Sequence, residues 1–109
     1  MPTLDLPPAY LRMLTAILKQ HLPGAEVWAY GSRVGGGAHE SSDLDLVIRN
    51  PDHLEEPQQN LRRLRDALRE SNLPILVEVL AWARIPESFR REIERQHVVV
   101  MAGEGITAK

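Results

Sequence analysis

The sequence predicts an α+β fold in which one small mixed β-sheet is covered by helices. Three observations carry that expectation: apolar residues recur at helical spacing in three stretches, short runs of β-formers stand between them, and glycine or proline punctuates the joins. At 109 residues the chain can bury one core, so residues 1–109 are read as a single domain.

Pro7-Pro8 opens the first helix, because proline at the first helical position gives up a donor that has no partner there. Leu11, Leu14, Ile17, Leu18 and Leu22 follow at helical spacing, and Pro23-Gly24 ends the helix. Glu26 to Tyr30 is short, rich in β-formers and cut off by Gly31, which predicts a first strand. Residues 33–42 hold Gly35, Gly36, Gly37 and Ala38 and then a polar cluster, so they form a loop that can begin with one helical turn. Asp43 to Ile48 alternates and is read as a second strand, with Leu44, Leu46 and Ile48 on one face and Asp43 and Asp45 on the other.

Asn50-Pro51-Asp52 signals a turn, and Pro57 opens a second long helix running to about Asn72, with Leu61, Leu64 and Leu68 as its core stripe. Ile75 to Leu80 is a third strand whose apolar run places it centrally in the sheet. Glu78 is the anomaly within it. Pro86 begins a last helix with Phe89 and Ile93 facing inward, and His97 to Met101 adds a short extended segment. Gly103 to Lys109 is expected to fray.

Apolar content of 43% with 26% charged residues is that of an ordinary soluble protein, and a net charge of -2 gives no general attraction to nucleic acid or to an anionic membrane. The absence of cysteine excludes disulfides, thiolate nucleophiles and Cys-based zinc sites. Met1 to Leu6 lack the pattern of a signal peptide and no apolar run reaches membrane-spanning length, so a cytoplasmic protein is expected.

The chemistry gathers between residues 30 and 46. Carboxylates at i and i+2 on a strand leave the same face with backbones about 7 Å apart. Ionised together about 5 Å apart, they repel by roughly 3 kcal/mol at an effective dielectric near 20. A divalent cation removes that penalty, and a few oxygen ligands with room for substrate phosphates suit magnesium or manganese. Gly31 lets the backbone approach a phosphate, and Ser32 offers it a hydroxyl and an amide. Metal-assisted phosphoryl or nucleotidyl transfer follows as the expected chemistry.

Alone, Asp-x-Asp is more often a solvated pair and Gly-Ser more often a plain turn. Their conjunction, joined by an acid inside a third apolar strand where an unpaired charge is costly, favours a site.

Gly31-Ser32, ten intervening residues and then Asp43-Leu44-Asp45-Leu46 resemble the signature of the polymerase-β-like nucleotidyltransferase superfamily. They resemble in particular its minimal nucleotidyltransferase branch, often the antitoxin partner of a HEPN-domain toxin. The likeness extends through Glu78 in strand three to Trp82-Ala83-Arg84-Ile85-Pro86 and on to Val98-Val99. It implies the polymerase-β-like fold and a three-acid site. Asp43 and Asp45 would hold two magnesium ions, and Glu78 would be the third ligand, near or acting as base for the attacking hydroxyl. Gly31 and Ser32 would hold the triphosphate of a nucleotide, ATP above all, with Arg33 as a phosphate contact. The acceptor implied is a tyrosine of the toxin, with pyrophosphate leaving. Two positions depart from the pattern: the third acid is usually Asp, and Ala81 stands where relatives often carry another acid.

Arg62, Arg63, Arg65 and Arg69 are interleaved with Asp66 and Glu70, which favours a solvated helix face over direct nucleic-acid binding. His21, His39, His53 and His97 lack metal-ligand spacing, and Trp28, Trp82 and Phe89 are expected in the core or at an interface. Two other functions stay open on the residues alone: an antitoxin that only binds, and transfer to a small molecule.

Overall fold

In the computed structural model residues 3–103 are described. The elements run α1 (Pro8–His21), β1 (Glu26–Tyr30), α2 (Ser32–Gly35), β2 (Leu44–Arg49), α3 (Leu61–Glu70), β3 (Val77–Ala81), a 3-10 turn (Trp82–Arg84), α4 (Glu87–Arg95) and β4 (Val98–Ala102). The four strands form one sheet in the order β3-β2-β1-β4. β1 lies antiparallel to both β2 and β4, while β2 and β3 are parallel, so the sheet is mixed as expected.

Alternation along each strand gives the sheet two different faces. On the first, Val27 and Ala29 of β1, Leu44, Leu46 and Ile48 of β2 and Val79 of β3 meet Leu14 and Leu18 of α1 and Leu64 and Leu68 of α3. Leu14, Leu18, Leu46 and Leu64 are fully buried, each contributing roughly 1.5–3 kcal/mol, so packing of their apolar stripes holds α1 and α3 in place.

The second face carries a smaller core of Trp28, Val47, Trp82 and Ile93, with Tyr30, Leu80, Ile85 and Phe89 around it. Trp28, Trp82 and Phe89 are therefore core residues. The Arg49 guanidinium lies 4.0 Å from the centre of the Trp28 ring and 4.6 Å from that of Trp82, and pairs with Glu26. His97 stacks on Trp28 at 3.8 Å, with its Nδ1 3.0 Å from the Ile93 carbonyl. Arg90 donates from Nε to the Trp82 carbonyl and through both amino groups to Glu55, which ties the loop before α3 to α4.

The strand and helix boundaries fall close to expectation, with two differences. α3 starts at Leu61, not near Pro57, because Asn60 takes a left-handed conformation (φ 69°) that breaks the helical path just before it. β3 is an edge strand, not a central one. Its apolar residues on the first face are covered by α3, so a run that reads as buried on both sides is buried on one. Gly103 closes the described residues at φ 85°, and the rest of the expected frayed tail lies outside them.

Candidate active site

The site forms where β1 ends and the parallel pair β2–β3 begins. Gly31 turns the chain out of β1 at φ 82° and ψ -155°, a conformation open to glycine, and becomes the N-cap of α2. A Cβ at this position would stand against the Asp45 carboxylate, 3.2 Å from its Cγ. Glycine is required here twice over, for its φ and for the close approach of an acid to the main chain. Val34 and Gly35 N–H groups both return to the Gly31 carbonyl, at 3.0 and 2.9 Å, closing α2 as one tight turn. Ser32 begins that turn, exposed to solvent.

Across the sheet Tyr30, Asp45 and Glu78 stand in one row, since Asp45 is the ladder partner of both Tyr30 and Glu78. Asp43 is exposed one residue before β2. Burial holds the Asp45 carboxyl above its ordinary range, and the neighbouring charges of Glu78 and then Asp43 push it in the same direction. None of these three carboxylates takes part in an ion pair or hydrogen bond among the described residues. The fold thus brings the three acids read from the sequence into one electrostatic neighbourhood. Glu78, however, is exposed on the edge strand, so the cost of a buried charge was the wrong reason for singling it out.

Arg33 is the correction. Its side chain is 3% exposed and its guanidinium donates to main-chain carbonyls: Nε to Ser42 at 3.0 Å, one amino group to Asp5 at 2.7 Å, the other to Glu40 at 3.0 Å and His39 at 3.4 Å. A side chain so engaged is a clamp that holds the loop leading into Asp43, and it does not point at a phosphate. His39 and Ser42 close the same loop on each other, with the Ser42 hydroxyl accepting from the His39 N–H at 2.9 Å. Nothing in the local sequence distinguishes a buried clamp from a solvent-facing arginine, because its acceptors are backbone carbonyls whose positions depend on the fold.

Tyr30 was left without a role by the sequence. Its ring packs edge-on against Phe89 at 5.6 Å, and its hydroxyl is pushed up to about 12 by burial and by the charges of Asp45 and Glu78. The available signal was alternation: two residues after Trp28, on the face that Asp45 shares across the first hairpin.

The donor set suits a hard divalent cation. Three carboxylates without a cationic partner, one of them held above its ordinary pKa by burial and then by the others, gain from an ion that supplies positive charge and accepts oxygen ligands. Among the described residues no three acidic or imidazole groups already converge around one point, so the carboxylates would have to draw together on an ion.

This is the fold of a nucleotidyl-transferring enzyme. Residues 11–101 match the family described as nucleotidyltransferase domain, and the chain belongs to that family. It is 42% identical over 108 residues to the probable protein adenylyltransferase MntA of Haemophilus influenzae, an alignment that covers 97% of this chain and 91% of that protein. Its fold is also similar to a chain in the crystal structure of a toxin-antitoxin with AMP-PNP, with a TM-score of 0.66 and 16% identity, over 86% of this chain and 74% of the other. Among the described residues no helix is long and apolar enough to cross a membrane.

Proposed function

We propose that this nucleotidyltransferase moves AMP from ATP onto a hydroxyl of a partner protein, a tyrosine of a HEPN-domain toxin, and so acts in the cytoplasm as that toxin's antitoxin. The observation that carries the reading is the row formed by Asp45 and Glu78, acids without a cationic partner, with Asp45 packed against Gly31 at a strand end. The adenylyltransferase name of a relative 42% identical supports the choice of AMP and of a protein acceptor.

In this reading Asp43, Asp45 and Glu78 would hold two magnesium ions, whose positive charge would screen the triphosphate and lower the cost of ionising the acceptor. Gly31 and Ser32 receive the triphosphate, with Ser32 offering its hydroxyl and amide. Glu78, at the outer end of the row, takes the proton of the acceptor hydroxyl. The acceptor oxygen forms its bond to the α-phosphorus as the bond from that phosphorus to the bridging oxygen of pyrophosphate breaks, and pyrophosphate leaves. Arg33 keeps Asp43 in place through the loop and Tyr30 stays neutral beside the acids.

The test is incubation of the chain with ATP, magnesium and the purified toxin. The toxin should gain the mass of one adenylyl group on a tyrosine, and an unmodified toxin in a complex that forms would overturn the reading. A binding-only antitoxin is the second reading, supported by the acids not yet converging. Replacement of Asp43 and Asp45 by Asn separates the two: neutralisation that survives unchanged favours binding alone.

A further inference from the structure

β3 is an edge strand, and its parity decides which backbone groups face outward. The Leu44 N–H donates to the Leu76 carbonyl at 2.9 Å while Leu44 lies opposite Val77. In a parallel ladder this turns the backbone groups of Leu76, Glu78 and Leu80 towards β2 and those of Val77 and Val79 away from it. Arg65 of α3 already donates to the outward Val79 carbonyl at 2.8 Å. Val77 remains as the open rung, its N–H and C=O without a partner among the described residues.

The surroundings of that rung suit a peptide. Leu76 is 58% exposed and shares its side of the sheet with Glu78. An exposed apolar residue on an open edge is a feature that folds usually guard against, because it invites another strand. A groove of about 460 Å³ runs between α3 and β3, lined by Arg65, Arg69, Leu73, Leu76 and Glu78 among others. Arg65 and Arg69 are the two α3 cations that line this groove, Arg69 in an exposed pair with Asp66 at 3.1 Å that an acidic ligand can displace. The next position in the row Tyr30, Asp45, Glu78 falls on an added strand, about 4.8 Å beyond Glu78 and on the same face.

We infer that the acceptor polypeptide docks as a short extended strand paired with Val77, with its tyrosine ring against Leu76 and acidic flanking residues towards Arg65 and Arg69. This rests on the nucleotidyl-transfer reading above and names how its acceptor is held. Pairing with Val77 sets the acceptor side chain beside Glu78. There the tyrosine oxygen bonds to the α-phosphorus, pyrophosphate departs and the phenolic proton passes to Glu78. An outward N–H and C=O in strand register beside an exposed apolar side chain is the set of groups that an added peptide strand pairs with, which favours a peptide over RNA.

The probe is a synthetic nine-residue peptide with a central tyrosine flanked by alternating valine and glutamate, titrated into the nitrogen-15-labelled chain. Val77 and its neighbours in β3 should shift, and the Val77 amide should exchange more slowly with solvent. Val77→Pro removes the outward donor at the first residue of the strand, where proline is tolerated, and should weaken the peptide about tenfold while leaving the melting shift caused by magnesium-ATP unchanged. N-methylation of the peptide beside its tyrosine should weaken it equally on the unaltered protein, and lysine in place of glutamate should weaken it further.

Absence of binding, shifts confined to β4, or binding indifferent to both Val77→Pro and N-methylation would overturn the inference. These readouts need no transfer. A peptide that protects Val77 while no protein is ever adenylylated supports the docking edge and counts against the proposed function. Transfer that proceeds unchanged in Val77→Pro supports the function and removes the edge.

Discussion

Asp45 and Glu78 are partners across the parallel β2–β3 pair, and neither is neutralised by a cation of the described chain. Like charges placed side by side oppose folding, so the site is held together by the rest of the sheet. That opposition is what a bound divalent ion relieves, and it makes several outcomes measurable.

The first concerns Asp45 itself. Its folded pKa lies above the ordinary 3.8, so the folded state holds the proton more tightly than the unfolded chain does. Without metal, the penalty is absent below the unfolded value, grows as pH rises through the folded one and is fully present at neutral pH. Asp45→Asn should therefore raise the melting temperature in chelator at pH 7 and flatten its dependence on pH between about 4 and 7. Magnesium should raise the melting temperature of the unaltered protein more than that of the variant. Turnover of Asp45→Asn should fall about 10³-fold. A variant that melts lower at neutral pH in chelator would show that Asp45 is not under repulsion.

Glu78 should separate activity from stability. It is exposed on an edge strand, so in chelator Glu78→Gln should raise stability only slightly, by up to about 0.5 kcal/mol through lost repulsion, while lowering turnover by about 10²-fold or more. Nucleotide affinity should change only a few-fold. Denaturant melts and initial rates on one preparation check both, and unchanged turnover would remove Glu78 from the site.

Gly31→Ala should damage both at once. The φ of 82° and the contact of the new Cβ with Asp45 together cost about 1–3 kcal/mol in a local strain estimate. Activity should drop further than the folded fraction does, because the displaced group is a candidate metal ligand. An active, fully stable Gly31→Ala would mean that the turn relaxes freely.

Arg33→Lys tests the clamp against the phosphate contact. A lysine cannot reach the carbonyls of Asp5, Glu40 and Ser42 together, so stability should fall by about 2–4 kcal/mol. Activity should track the folded fraction with KM for ATP unchanged. A large rise in KM with stability intact would return Arg33 to the phosphates.

Much of this molecule is written in its sequence because the relevant physics is local. Apolar spacing sets the buried sides of α1, α3 and α4, and proline and glycine set where helices and strands stop. The Gly31-Ser32 turn and the alternating Asp43 and Asp45 likewise follow from near neighbours. The family resemblance is legible for the same reason, since its residues are defined by spacing.

What needed the tertiary structure were relations between distant segments. An apolar run reads alike whether one or two strands flank it, so only the strand order reveals that β3 is an edge and Glu78 exposed. Tyr30 acquires its raised pKa first from burial in the second core and then from acids 15 and 48 positions along the chain, brought beside it by strand pairing that no local pattern specifies. Arg33 becomes a clamp because carbonyls from Asp5 and from the loop before β2 converge on it. Spacing along the sequence determined which acids and which glycine could make a site. The pairing of β2 with β1 and β3 decided that they share one face, because charges interact through space and not along the chain.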